Sequence, residues 1–334
     1  MSGQTANKTV SFMIAALLLV GAGWYAHGWF HRCFNTANDR RIKLKGFQFV
    51  SPLLDVELPE GYGVGREPIP FKYKVKGFVE QQIKSGTVKE MSVYYRDLSD
   101  GPWFGINEKV HYNPASMMKV PIMIGWLKRA EKDPSVLQRK FVFEDKGYPG
   151  PQQGIKPAKS LTAGAGYTVD ELLSYMMNYS DNKAMWLLYN GLTDEEYAYI
   201  FDSMDVANDP SDGNNSITVH GYSGFLRILY NASFLNREMS EKALKLMSYQ
   251  DFPYGMAAGV PKGVIVASKF GEYGESSAGH NPALVQLHEF GIVYHPKGPY
   301  ILGILTMGND LAKQTDIIRA VSAMVYKEVD ASVH

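Results

Sequence analysis

Lys119 stands in the run Met117-Met118-Lys119-Val120-Pro121-Ile122-Met123-Ile124, where every neighbour is apolar. A lysine so placed must snorkel to water, find a partner or lose its charge. Ser116 precedes it by three positions, and residues three apart on a helix share a face. A serine hydroxyl is a weak nucleophile until a base takes its proton. A desolvated lysine with a depressed pKa is one of the few side chains able to do so. The pair therefore points to acyl transfer through a serine ester. The plain alternative is a capping serine beside an ordinary lysine. The pattern is short enough to recur by chance, since Ser180-Asp181-Asn182-Lys183 fits it as well.

Two later groups give the pair a context. Ser180-Asp181-Asn182 falls in a helical stretch, and Lys269-Phe270-Gly271 comes directly behind a strand-like run, Val264-Ile265-Val266-Ala267. Together the three groups resemble the penicillin-recognising serine enzymes, most closely the class A β-lactamases, whose signatures are Ser-x-x-Lys, Ser-Asp-Asn and Lys-Thr-Gly in that order. The flanking text is similar too: Asn113-Pro114-Ala115 before the serine, Val120-Pro121 after the lysine, and His288-Glu289-Phe290-Gly291-Ile292-Val293-Tyr294 further on. The resemblance runs from about Phe71 to Val329.

The resemblance implies Ser116 as nucleophile, Lys119 as proton acceptor and Ser180 as proton relay to the leaving nitrogen. Asn182, Lys269, Gly271 and Glu272 fall on the substrate side. Asn182 is expected to hold the substrate's amide side chain, and Lys269 to orient Ser180 and a substrate carboxylate. The backbone N–H groups of Ser116 and Glu272 are expected to form an oxyanion hole. Asp181 is expected to be structural. Two departures stand out. Phe270 occupies the place of a Thr or Ser, and a phenyl ring has no hydroxyl to offer a carboxylate. Between Met204 and Thr218 there is no glutamate to activate a deacylating water. Asp205, Asp209 and Asp212 lie there, but in an Asn/Asp/Gly/Pro context that reads first as a turn.

The elements that must position these residues follow in order. Phe71 to Ser85 reads as a short amphipathic helix, and Met91–Tyr95 and Trp103–Ile106 as strands around a Ser-Asp-Gly-Pro turn. Ala115 to Glu131 reads as a helix, and Val169 to Asn236 as mostly helical. After Pro253 come four strand-like runs, Val264–Ala267, Ala283–Leu287, Gly291–Tyr294 and Tyr300–Thr306, then a helix over about Thr315–Val329. The expected fold is α+β: an antiparallel sheet flanked by the first and last helices, with an all-helical domain inserted.

Composition narrows the partners. Lys+Arg 34 balances Asp+Glu 34, which argues against a nucleic-acid binder. The single cysteine, Cys33, rules out an intramolecular disulfide. The eight histidines show no metal-ligand spacing, so neither metal nor cofactor is expected. Gly164-Ala165-Gly166 lacks the third glycine of a dinucleotide loop, and Gly221-Tyr222-Ser223-Gly224 misses the nucleophile elbow.

Val10 to Phe30 is apolar apart from Ser11 and His27 and long enough to span a bilayer, with Trp24, Tyr25, Trp29 and Phe30 at one end. Residues 1–33 are expected to be an anchor, 34–70 a linker and 71–334 the hydrolase-like domain. A cleaved signal is the rival, though no small-x-small site follows the apolar run. Arg32, Arg40, Arg41, Lys43 and Lys45 behind the span favour a cytoplasmic domain by the positive-inside rule. The chemistry favours the cell envelope, and that is the expectation adopted, with secretion if the signal is cleaved. The expected substrate is a β-lactam or a peptidoglycan stem peptide, with slow deacylation. The alternatives are a membrane-anchored sensor and a catalytically dead relative.

Overall fold

The computed structural model describes residues 47–51, 69–146, 148, 154–202, 216–249, 251–274 and 284–332. The Val10–Phe30 stretch and Asp205, Asp209 and Asp212 lie outside the described residues. Among the described residues no helix is long and apolar enough to cross a membrane.

Five strands form one antiparallel sheet in the order β2-β1-β7-β6-β5. They are β1 (Glu90–Asp97), β2 (Trp103–Ile106), β5 (Val266–Gly274), β6 (Val285–Val293) and β7 (Tyr300–Gly308). The central pairing, β1 on β7, joins the two ends of the domain. The chain between β2 and β5 carries the insertion: among the described residues, a two-stranded ribbon, β3 (Lys140–Val142) and β4 (Gly166–Thr168), and six α-helices. These are α2 (Lys119–Lys132), α3 (Val169–Asn178), α4 (Asn182–Asn190), α5 (Asp194–Asp202), α6 (Val219–Asn231) and α7 (Arg237–Met247). The first and last helices among the described residues, α1 (Lys72–Lys84) and α8 (Leu311–Ala331), complete the expected α+β arrangement.

Side-chain alternation along the strands sorts the apolar residues into two cores. Met91, Val93 and Tyr95 of β1 and Leu302 and Ile304 of β7 point to one face. There they meet Val75 and Val79 of α1 and Ile317, Ile318, Val321 and Val325 of α8. Tyr94, Ile301, Leu305 and Phe290 point to the other face, towards the inserted helices. Gly303 makes room there, because a Cβ on it would lie 2.0 Å from the Phe290 ring. Helix α2 is buried on nearly every side from Lys119 to Leu127. A helix apolar all round belongs in an interior, and α2 is the axis of the insertion.

Four boundaries differ from the sequence expectation. The run Ala115–Glu131 is not one helix: Ala115–Met118 is a 3-10 turn, and the α-helix starts at Lys119. Pro121 in its first turn lacks the N–H that an earlier helix start would need to pair. The signature Lys269-Phe270-Gly271 lies within β5 rather than behind it. The runs Ala283–Leu287 and Gly291–Tyr294 are parts of one strand, β6, which passes unbroken through His288-Glu289. Both polar residues are fully buried, and both find partners from distant segments. Helix α8 begins at Leu311, with the Asp310 carboxylate capping Lys313 N at 3.1 Å.

Part of the stretch read as linker packs on the domain. Phe49 and Val50 are buried, and Glu241 on α7 accepts N–H bonds from Gln48, Phe49 and Val50 at 2.6, 2.7 and 3.1 Å.

Candidate active site

Ser116 sits in the 3-10 turn, one position after Ala115, whose φ is 49°. Left-handed backbone at a residue with a Cβ is strained and persists only where its surroundings hold it. Here they do. Ala115 N donates to Asn113 Oδ1 at 2.9 Å, and Asn113 N donates to Gln286 Oε1 at 3.0 Å. His288 Nε2 lies 3.1 Å from Asn113 O, and Tyr222 OH donates to Met117 O at 2.9 Å. Burial pushes the His288 pKa down to about 4, against the pull of its backbone hydrogen bonds, so the ring is neutral near pH 7. Asn113, Gln286, His288 and Tyr222 thus fix the backbone around Ser116. The sequence reading did not single out Gln286 or Tyr222. Gln286 and His288 are two apart on a strand and share a face, which is the one local signal they carry.

Strand β5 approaches this turn closely, and Gly271 permits it. A Cβ there would lie 2.7 Å from Pro114 O and 3.2 Å from the Ala115 Cβ. Among the described residues β5 is an edge strand of the sheet.

Lys119 is fully buried one residue past the turn. Its Nζ lies 2.9 Å from Ser116 Oγ, 3.0 Å from Ser180 Oγ, 2.6 Å from Ser180 O and 2.7 Å from Asn182 Oδ1. The carbonyl and amide oxygens can only accept, so each takes one N–H. The two hydroxyls can donate or accept. A neutral amine has two N–H groups and a lone pair, so at these distances it can accept a proton from a hydroxyl. Burial favours that neutral form, and the Lys119 pKa is pushed down to about 7, with the Asp181 charge opposing.

Ser180 is the hub. It too is left-handed, with φ 56°, and this places its carbonyl and hydroxyl on the same lysine. Lys269 Nζ, also fully buried, donates to Ser180 Oγ at 3.0 Å from the opposite side. Burial, then the neighbouring Lys119, holds the Lys269 pKa well below the usual lysine value, with Glu289 opposing. Asp181 is a structural residue here: its carboxylate caps α4 through Lys183 N and Ala184 N and holds Leu161 N at 3.0 Å.

The structure therefore brings Ser116, Lys119, Ser180, Asn182 and Lys269 into one hydrogen-bonded chain, with Gly271 against the nucleophile's turn. Glu272 follows on β5, where its carboxylate accepts from Ile155 N at 2.7 Å. Phe270 is buried, stacked on Phe252 with centroids 4.5 Å apart, and its ring lies 4.1 Å from Lys269 Nζ. The arrangement can move a proton from Ser116 to Lys119 and on through Ser180. No group of His, Cys, Asp or Glu among the described residues could hold a metal.

The sequence profile of the beta-lactamase enzyme family matches residues 74–329. The chain belongs to the beta-lactamase enzyme family. As a member it is a serine hydrolase, in line with the expected resemblance. No curated protein sequence matches it. Among solved structures, a PBP-A mutant in acyl-enzyme complex with penicillin G superposes with a TM-score of 0.65 at 19% identity, covering 79% of this chain and 97% of that one. The class A β-lactamase from Mycobacterium abscessus gives 0.65 at 20% identity, covering 77% and 99%. A β-lactamase from Sphaerobacter thermophilus gives 0.64 at 18% identity, covering 77% and 97%. At these identities the structural matches establish the shared fold.

Proposed function

We propose that the protein forms an acyl-enzyme on Ser116 with β-lactams or cell-wall peptides and releases it slowly. The observation that carries this is the buried Lys119 amine, 2.9 Å from Ser116 Oγ and held by two acceptor-only oxygens. As Oγ attacks the carbonyl carbon, its proton passes to Nζ. When the tetrahedral intermediate collapses, the C–N bond breaks and the nitrogen takes a proton through Ser180, which touches both lysines. The N–H groups of Ser116 and Glu272 are the donors for the developing oxyanion, the former in the 3-10 turn and the latter on the edge strand packed against it. Asn182, held by Lys119, keeps its amide NH₂ for the substrate.

Slow release is supported by the sequence between Met204 and Thr218, which holds no glutamate to activate water. Residues 10–30 would anchor the chain with its domain in the cell envelope. A sensor that signals through a long-lived acyl group is the same chemistry with slower release, and adduct lifetime separates the two.

The test is intact-mass spectrometry of the full chain with benzylpenicillin and with its methyl ester, alongside Ser116→Ala. The expected result is a mass increase equal to the intact β-lactam that persists for minutes or longer and is absent from the variant. Rapid multi-turnover hydrolysis by the wild type would contradict slow release. Absence of any adduct would contradict the acyl-enzyme.

A further inference from the structure

An anionic substrate needs a donor that the protein has left open. An ammonium has three N–H groups, and two of those on Lys269 are engaged by acceptors within the chain. One goes to Ser180 Oγ at 3.0 Å and one to Phe270 O at 3.0 Å, while the Phe270 ring stands 4.1 Å from the nitrogen, at cation–π distance. Phe270 is itself pinned by its stack on Phe252 and does not swing away freely. The other lysine at the site, Lys119, is committed to Ser116, Ser180 and Asn182. His288 is buried and held neutral by that burial.

The nearest charge on the same strand is negative. The carboxylate of Glu272, two residues past Phe270, is fixed by Ile155 N at 2.7 Å, and Gly154 packs so closely that a Cβ there would lie 2.1 Å from Oε1. Ile155 in turn packs against the apolar cluster that includes Phe270. The cations of that loop, Lys156 and Lys159, are exposed, where a charge contributes little to binding.

We infer that the site takes acyl donors whose leaving portion carries no carboxylate: esters, amides, or peptides whose terminal residue is amidated or linked onward. Three features on β5 select for them: a lysine satisfied internally, a phenyl ring covering it, and a fixed carboxylate beside it. This rests on the acyl-transfer reading of Ser116 and narrows its substrate.

The experiment compares acylation rates of the full chain by benzylpenicillin and its methyl ester. Each rate is divided by that compound's own rate with hydroxide, so that intrinsic ring reactivity cancels. The ester is expected to acylate Ser116 at least tenfold faster than the acid. Phe270→Thr, which restores a hydroxyl and uncovers Lys269, should move that ratio towards the acid by a further tenfold. An acid that acylates the wild type as fast as the ester or faster overturns the inference and leaves the acyl-enzyme standing. An adduct with neither compound overturns the acyl-enzyme reading and the inference with it.

Discussion

Lys119 does its work by being buried in an apolar run while keeping two acceptor oxygens, Ser180 O and Asn182 Oδ1, within 2.7 Å. The sequence showed half of this. Ser116 and Lys119 are three apart, so their contact is local and legible. The oxygens that orient the amine come from residues more than sixty positions away, and spacing alone says nothing of their direction. The pKa of about 7 has a kinetic consequence. In the proposed mechanism the neutral amine is the base, so acylation is expected to rise about tenfold per pH unit below 7 and to level off above it. A stopped-flow pH profile checks this, and a flat profile between pH 5 and 8 would remove Lys119 from the base role. Lys119→Gln should slow acylation by roughly 10²–10⁴-fold. The linkage to stability has a definite sign. Between about 7 and the ordinary lysine value of 10.5, the unfolded chain binds the proton that the folded chain does not. The contribution of Lys119 to stability therefore rises with pH across that window.

The 3-10 turn and strand β5 meet at Gly271, and that contact sets how closely the Ser116 turn approaches the strand. Gly271→Ala places a Cβ 2.7 Å from a backbone oxygen, so strand or turn must shift. The expected result is a loss of about 1–3 kcal/mol in denaturant titration, typical of overpacking. Acylation should fall roughly 10²-fold, as for a reacting group displaced by about 1 Å. An unchanged acylation rate would show that the strand does not position the nucleophile. Boundaries were the least legible feature at this level. Strand β6 reads as two pieces because His288-Glu289 interrupts its apolar run. It is whole because Ser268 Oγ and Met256 N supply hydrogen bonds to Glu289 at 2.7 and 2.8 Å. The clip from Glu272 to Ile155 is likewise a contact between distant segments and leaves no periodic trace.

The α+β architecture was legible because it is written in the order of the elements: helix, strands, a helical middle, strands, helix. What the order did not reveal is that residues 47–51 belong to the domain's packing. They are a short apolar run, Phe47-Gln48-Phe49-Val50, inside a longer stretch of linker character, and Glu241 takes three N–H groups there while Phe49 is buried beside Tyr294, with ring centroids 5.3 Å apart. A chain beginning at Pro52 should be less stable than one beginning at Gly46 by about 3 kcal/mol, the burial of one large aromatic side chain. Urea midpoints of the two shortened chains test this, and equal midpoints would make the segment a passive passenger.

The central claim is that Ser116 is the atom acylated, and the most direct measurement is intact-mass spectrometry of wild type and Ser116→Ala after exposure to benzylpenicillin and its methyl ester. The account predicts a one-to-one adduct on the wild type, mapped by peptide digestion to Ser116 and absent from the variant. An adduct of equal extent on Ser116→Ala, or none on the wild type with either compound, would contradict it.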